Sequence, residues 1–442
     1  MFQELRNKRL LVLGGSAWID IIRAFAVENQ IQLVAVGNDP KSPLASLGEY
    51  HNIDSINHEQ MKSFIKQCNI DGVYIGSNET VIRHAIEYLD ELNMPHYCTQ
   101  KQWDSLMNKR SFKELCIKHG IPVAPRYIWK PSEPVTFDFP VIVKPADGCG
   151  SVGITICESE ENLESAYQFA LDNSPSGEVL IEKLVNNTGM DVFFQITGKD
   201  IEFCALGDKY PVQLKEGAGS VAGARVLPSL YTDEFRSRFE RKLNDLFNDV
   251  GLYQGLIWME VFHDGDDYYF NEVGYRPNGS LSIIGIDYLC GINTVAADIY
   301  YALTGKGISH GFSSLILKEN VPRTKKKVCE YWVASKPGTI GSISGVNDIK
   351  AYPNVLAAFP KYSVGSVIPN TNGFAQNFCV IHFAYDDENE MRETIRFIKN
   401  TIKLTDCHGE DMIIHKSDAF VENLLTDSNN IDRSYATGRG EI

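Results

Sequence analysis

The chain has 442 residues, 43% of them hydrophobic and 22% charged, which leaves room for about three domains and a large buried core. Its formal net charge of −15 argues against nonspecific nucleic-acid binding, which needs a basic surface, but not against a local basic pocket for a nucleotide. No apolar run reaches the roughly 20 residues of a membrane-spanning helix, and MFQELRNKRLLVLGG enters a strand and glycine turn where a signal peptide would have an apolar region.

Ten cysteines lie scattered without C-x-x-C or paired Cys/His spacing, and the ten histidines form no H-E-x-x-H motif. That usage fits reduced thiols in a cytoplasmic protein better than disulfides or zinc.

In chain order, residues 9–14 read as a strand, and Gly14-Gly15-Ser16 turns into a helix with Trp18, Ile21, Ile22 and Phe25 on one stripe. A second strand, 31–36, ends in the turn residues Gly37-Asn38-Asp39-Pro40. A third, 72–75, precedes a helix over 79–92. Strands alternating with helices predict a parallel, Rossmann-like sheet. The first glycine turn could hold an anion, but it lacks the dinucleotide fingerprint, and a plain tight turn accounts for it. A helix over 109–119 stops at Gly120, and residues 121–125, IPVAP, form an extended linker.

The segment FPVIVKPADGCGSVGITIC, residues 139–157, carries the first chemical signal. A β-branched run ends on Lys144, a loop holds Gly148, Gly150 and Gly153, and a second β-type run comes after it. Such a tip is nearly all backbone, so it can fold over a polyphosphate and donate N–H groups while Lys144 supplies a point charge. Residues 148–153 match G-x-G-x-x-G, but a strand comes next where the dinucleotide fingerprint requires a helix. The loop also lacks the Gly-Lys-Ser/Thr of a P-loop. An ordinary glycine-rich hairpin is the alternative. Cys149 is read as a small residue that fits beside glycines, with a redox-sensitive thiol as the alternative.

A helix to about 171 comes next, with Ser159 as its N-cap, then a strand over 179–182 and paired strands over 191–197 and 201–206. The stretch 213–228, QLKEGAGSVAGARVLP, reads as a loop, either a substrate cover or a surface connection; Thr232 caps a helix ending at Gly251. Residues 255–273, GLIWMEVFHDGDDYYFNEV, form a second informative hairpin. With a three-residue loop over 264–266, Glu260 faces Phe270, and Glu272 is diagonal to Glu260 on the same face. Two such carboxylates suit a hard cation such as Mg2+; two solvated strand glutamates are the alternative. From about residue 328 the pattern changes to strands over 328–334, 338–343, 364–368 and 377–383 and a helix over 387–402. The polar end is expected to be disordered. The basic run of Arg323, Lys325, Lys326 and Lys327 is read as a solvated linker.

With both hairpins placed, residues 8–305 resemble the ATP-grasp superfamily, carboxylate–amine (L-amino-acid) ligase type. The resemblance rests on NKRSFKELCIKHGIPVAP, FPVIVKPADGCGSVG, VLIEKLVNNTGMDV and the hairpin ending NEVGYRPNGS, in that order. It implies an α/β fold with a Rossmann-like pre-domain over 1–107, a two-lobed ATP-binding domain over 108–310 and an α+β cap over 311–425, before a tail over 426–442.

The resemblance also implies roles. Lys109 and Lys144 would contact the phosphates of ATP, under a flap formed by Gly148, Gly150, Ser151 and Gly153. Lys183 and Val185, with Glu182 beside them, would meet the adenine edge, and Asp191 the ribose hydroxyls. Glu260 and Glu272 would ligate Mg2+ (or Mn2+), and Arg276 would steady the transferring phosphoryl group. The usual Glu-x-Asn-x-Arg of the family is Glu272-Val273-Gly274-Tyr275-Arg276 here, so one ligand of a second metal is missing unless Asn278 or water substitutes. Arg225 is a candidate for a substrate carboxylate, with a surface arginine as the other reading.

The activity that the resemblance implies is ATP-dependent joining of a small carboxylate, such as an amino acid, to an amine through an acyl phosphate, with no nucleic-acid or membrane partner and a possible homodimer. The alternatives are a carboxylase or purine-pathway relative, and a nucleotide-binding regulatory protein without turnover. A nicotinamide oxidoreductase fails at both glycine loops.

Overall fold

The structure, a computed structural model, describes residues 2–40, 42–147, 153–185, 188–213, 220–313, 323–371, 374–416 and 418–425. The N-terminal unit comprises β1 (Arg9–Val12), α1 (Ile19–Asn29), β2 (Gln32–Gly37), β3 (Glu49–Asn52), α2 (His58–Gln67), β4 (Gly72–Tyr74), α3 (Glu79–Glu91), α4 (Gln100–Met107) and α5 (Lys109–Lys118). Its four strands are parallel in the order β3-β2-β1-β4, as the alternating pattern predicts. The stripe of Trp18, Ile21, Ile22 and Phe25 is buried. The edge strand β3, EYHN, was not anticipated because it is polar and partly exposed. Asn57, Asn78, Thr99 and Asn108 cap α2, α3, α4 and α5 through their side chains. Asn108 ends α4 and caps α5, which makes Lys109 the first residue of a new helix.

Next in the chain is a small antiparallel sheet: β5 (Arg126–Tyr127), β6 (Val141–Pro145), β7 (Thr155–Cys157) and β8 (Val179–Lys183), ordered β5-β8-β6-β7, with α6 (Leu163–Asp172) packed against it. Val141, Val143, Cys157 and Leu163 are central to its core. β6 and β7 form the expected hairpin, and the element after the glycines is a strand. Gly148, Cys149, Gly150 and Ser151 lie outside the described residues. Gly153 has φ 78°, and a Cβ there would sit 2.8 Å from Pro145 Cγ and Asn173 Cβ, so only glycine fits.

The large sheet collects β9 (Thr188–Thr197), β10 (Asp200–Gln213), β11 (Ser220–Leu227), β12 (Gln254–His263) and β13 (Tyr268–Gly274). Between β11 and β12, α7 (Thr232–Phe235) runs through a wide turn at Arg236–Glu240 into α8 (Arg241–Val250). After β13 come α9 (Ile283–Cys290) and α10 (Thr294–Thr304). Next are β14 (Lys327–Ala334), β15 (Gly338–Ser344), α11 (Val346–Ala351), β16 (Val355–Pro360), β17 (Val367–Ile368), β18 (Asn377–Tyr385), α12 (Glu388–Thr401), β19 (Lys403–Asp406) and α13 (Asp418–Leu425). The sheet order is β13-β12-β9-β10-β11-β14-β18-β16, so strands of the C-terminal third extend the central sheet. β17, β15 and β19 form a separate three-stranded sheet.

Three local expectations change. Much of the supposed loop 213–228 is strand β11, which pairs with β10 on one side and β14 on the other; residues 214–219 lie outside the described set. Ser159 makes no side-chain cap bond. Thr232 is already helical, and its hydroxyl donates to the Ser229 carbonyl at 2.7 Å. The tail, 426–442, also lies outside the described residues.

α9 and α10 are apolar nearly all round because both are buried, and α10 packs on β4, tying the N-terminal unit to the large sheet. They meet at 96°, and no single helix among the described residues is long and apolar enough to cross a membrane.

Candidate functional site: a charged belt facing two lysines

Directly paired residues of neighbouring strands point to the same face of a sheet, and so do residues two apart on one strand. By that rule one face of the large sheet carries a charged belt. Glu272 pairs with Glu260, Glu260 with Asp191, and Asp191 with Gly207, two residues from Lys209. Lys209 pairs with Arg225, Arg225 with Glu330, and Glu330 with His382.

The carboxylate pair is thus real, but the register differs from the expected one. His263 pairs with Tyr268 across a four-residue turn, and a bulge after Glu260 then brings Glu260 directly opposite Glu272, not diagonal to it. The extra residue of the bulge is Asn271. Its amide nitrogen donates to Glu260 Oε2 at 2.6 Å, and its carbonyl oxygen accepts from Lys144 Nζ at 2.8 Å.

Lys144 reaches this bulge from β6 across the cleft between the two sheets. Its ammonium also lies 2.9 Å from Glu182 Oε2 on β8, and the other carboxylate oxygen of Glu182 is ion-paired to Lys113 on α5. Burial alone would raise the Glu182 carboxyl, but Lys144 and Lys113 together hold it below its usual range. Two cations sharing one buried anion leave Lys113 in excess: burial and the neighbouring Lys144 push it down to about 8. Lys109, first residue of the helix that Asn108 caps, stands 3.4 Å from Glu272. On the far side, Lys209 lies 2.7 Å from Glu260 and 2.8 Å from Asp191. Burial raises Glu260, yet Lys209, Asn271 and Lys144 lower it further, so it stays ionised.

The remaining candidates fall into place around this core. The Lys183 amide donates to Pro125 O at 2.9 Å, and Val185 is buried one step beyond Leu184. Asp191 is 1% exposed and ion-paired to Arg225. Arg225 is not a surface arginine. It is 4% exposed because β11 is an interior strand, and its guanidinium bonds Glu330 at 2.5 Å, Ser282 at 2.7 Å and Ser280 at 2.9 Å, between the rings of Phe193 and Trp332. Glu330 is fully buried, and burial raises its carboxyl despite Arg225. Asn278 is committed elsewhere than a metal: its amide donates to Ser282 Oγ at 2.9 Å and its carbonyl accepts from the Ser282 N–H at 3.1 Å, bracing the entry to α9.

Arg276 emerges at the end of β13. Its Nε donates to Glu79 Oε1 at 3.0 Å, Nη2 is ion-paired to the same carboxylate, and Nη1 donates to Pro277 O at 3.1 Å. The guanidinium lies over the Trp258 ring at 5.5 Å. Trp258 pairs directly with Gly274, so the indole stands in the space where the family pattern has an asparagine side chain.

Asn271, Lys113, Lys209, Glu79, Trp258 and Glu330 were not singled out from sequence. Lys113 had a signal, four residues from Lys109 on one helix face, and so did Glu330, a lone carboxylate in the apolar strand KVCEYWVA. Lys209 and Glu79 had none.

As a cation site the donor set fits Mg2+: the facing carboxylates of Glu260 and Glu272 are hard oxygen donors, Asn271 holds Glu260 in place, and a partly protein-bound Mg2+ completes its shell from water and phosphate. A carboxylate face opposite two lysines offers both signs to a metal–phosphate ligand.

Residues 118–210 match the family described as D-ala D-ala ligase C-terminus. A formate-dependent phosphoribosylglycinamide formyltransferase of Cronobacter sakazakii is 24% identical over 294 residues, 63% of this chain and 72% of the relative. Three other curated relatives are matched over 38%, 61% and 27% of their own length. Among solved structures, an L-amino acid ligase from Bacillus licheniformis superposes with a TM-score of 0.70 at 16% identity, over 91% of this chain and 99% of that one. The biotin carboxylase domain of the Hydrogenobacter thermophilus 2-oxoglutarate carboxylase, solved with MgADP and bicarbonate, gives 0.71 at 18% identity, over 95% and 96%. The fold is shared with these structures over nearly the whole chain, and residues 118–210 match a ligase segment, which agrees with the ATP-grasp resemblance that the motif order carries.

Proposed function

We propose that this protein is a carboxylate–amine ligase: it uses ATP and Mg2+ to convert a small-molecule carboxylate, such as that of an amino acid, into an acyl phosphate that an amine then attacks, releasing phosphate. A carboxylate is a poor electrophile because its charge repels the amine and oxide is a poor leaving group; phosphorylation removes both obstacles. Enzymatic catalysis of such a transfer is mostly positioning and charge neutralisation.

The observation that carries the reading is the meeting across the cleft of Lys144 and Lys109 with Asn271, Glu260 and Glu272. In it, Lys109 and Lys144 hold phosphate oxygens, and Glu182 keeps Lys144 extended toward them. The carbonyl of Lys183 and the amide of Val185 take the adenine edge, and Asp191, gripped by Lys209 and Arg225, takes the ribose side. Glu260 and Glu272 would hold Mg2+, which supplies charge neutralisation at the phosphates. Arg276 stabilises charge on the transferring group.

A second reading, an ATP-grasp carboxylase or purine-pathway relative, draws support from the formyltransferase and biotin carboxylase likenesses. The test is phosphate and ADP release by the purified protein with ATP and Mg2+, against amino acids singly and in pairs, and against bicarbonate and formate. Release that needs two amino acids, with a condensed product by mass, supports the ligase. Release with bicarbonate or formate moves the assignment to the second reading, and ATP binding without turnover under any condition favours a regulatory nucleotide-binding role.

A further inference from the structure

We infer that Trp258 is a positioning residue for Arg276, a flat support that sets the guanidinium at the phosphoryl end of the site, and that position 274 is glycine to make room for it. This rests on the ligase reading and adds to it a residue that the superfamily motif does not contain.

The cross-strand pair Trp258–Gly274 lies on the same sheet face as the pair Glu260–Glu272, two residues away on each strand. A Cβ built on Gly274 would lie 2.3 Å from Trp258 Cε2 and Nε1 and 2.5 Å from Cζ2. The φ of Gly274 lies outside the left-handed region, so the backbone does not require glycine. The indole does. While it lies there, no side-chain ligand for a cation can stand at 274.

What the indole supports is Arg276, 5.5 Å above the ring. Glu79, first residue of α3, closes the Nε and Nη2 edge, and Pro277 O takes one Nη1 proton. A planar fork held by a ring below and a carboxylate at one edge keeps its orientation, so binding phosphoryl oxygens on its open edge costs less ordering. The Trp258 N–H, meanwhile, has no hydrogen-bond partner among the described residues. An orphaned donor is tolerated where the ring face, not the N–H, is the useful part.

The test is calorimetric binding of Mg2+-complexed adenylyl imidodiphosphate and of Mg2+-complexed ADP to the wild type, Trp258→Phe, Trp258→Leu and Glu79→Gln. Only the first ligand carries a γ-phosphoryl group. Trp258→Leu is expected to weaken the triphosphate analogue about tenfold while ADP changes by less than about threefold, whereas Trp258→Phe, which keeps a ring face, holds both within about threefold. Glu79→Gln, a change at a partly exposed position, should also weaken only the analogue. Equal loss of both ligands in Trp258→Leu would mark a purely structural tryptophan and overturn the inference, as would binding of both as in the wild type. A wild type that binds neither nucleotide overturns the ligase reading and this inference with it.

Discussion

Replacing Gly274 by alanine adds one methyl group to a position where the nearest indole atoms would be 2.3 to 2.5 Å away. The ring is rigid, so it has to shift by more than about 1 Å, and overpacking of this kind costs about 1–3 kcal/mol. Loss of the Arg276 stack adds about 0.5–1 kcal/mol, for an expected total of about 1.5–4 kcal/mol. The assay is urea unfolding monitored by far-UV circular dichroism for Gly274→Ala, Trp258→Ala and the double variant. If the indole is the sole obstacle, the double variant is no less stable than Trp258→Ala and gains about 0.4–1 kcal/mol from the stiffer unfolded chain. The coupling energy, the Gly274→Ala cost plus that gain, should then be about 2–5 kcal/mol. Costs that add within about 0.5 kcal/mol would refute the steric pairing.

The same geometry sets three other outcomes. Arg225→Met strands the fully buried Glu330 and should cost about 3–5 kcal/mol, while Arg225→Met with Glu330→Met should recover most of it; a double variant as unstable as the single one would count against the pair. Asp298 on α10 accepts a 3.3 Å bond from Gln254, and burial raises its carboxyl from 3.8 to about 7. The folded state therefore keeps a proton that the unfolded chain releases, so this group's stabilisation is complete below pH 3.8 and is lost as pH rises to about 7. Asp298→Asn should match the wild type near about pH 4 and exceed it by about 2–4 kcal/mol at about pH 8, and equal stability at both would contradict the raised carboxyl. Glu272→Gln should weaken Mn2+ binding in the presence of ADP at least about tenfold by electron paramagnetic resonance, and unchanged affinity would remove Glu272 from the metal site.

Much of the fold was written locally. The stripe on α1 and the strand–glycine–strand pattern at residues 141–157 each lie within one element or one hairpin, whereas the caps did not follow the reading: Ser159 and Thr232 do not cap, and Asn57, Asn78 and Thr99 do. Lys109, Lys144, Glu260, Glu272 and Arg276 were legible for a similar reason, as short motifs in a fixed order along the chain.

Tertiary structure decided what those residues touch. The register that makes Glu260 and Glu272 direct partners depends on a bulge at Asn271, which no turn rule reveals, because a bulge is set by how two strands meet. Arg225 and Glu330 stand 105 positions apart, and Glu79 and Arg276 stand 197 apart, so their pairing depends on sheet order and on the start of α3 meeting the segment just after β13. Gly274 looked from sequence like a missing ligand. In three dimensions it is the floor on which an indole lies, because an absent side chain is defined by the neighbour that fills its space, and that neighbour is on another strand.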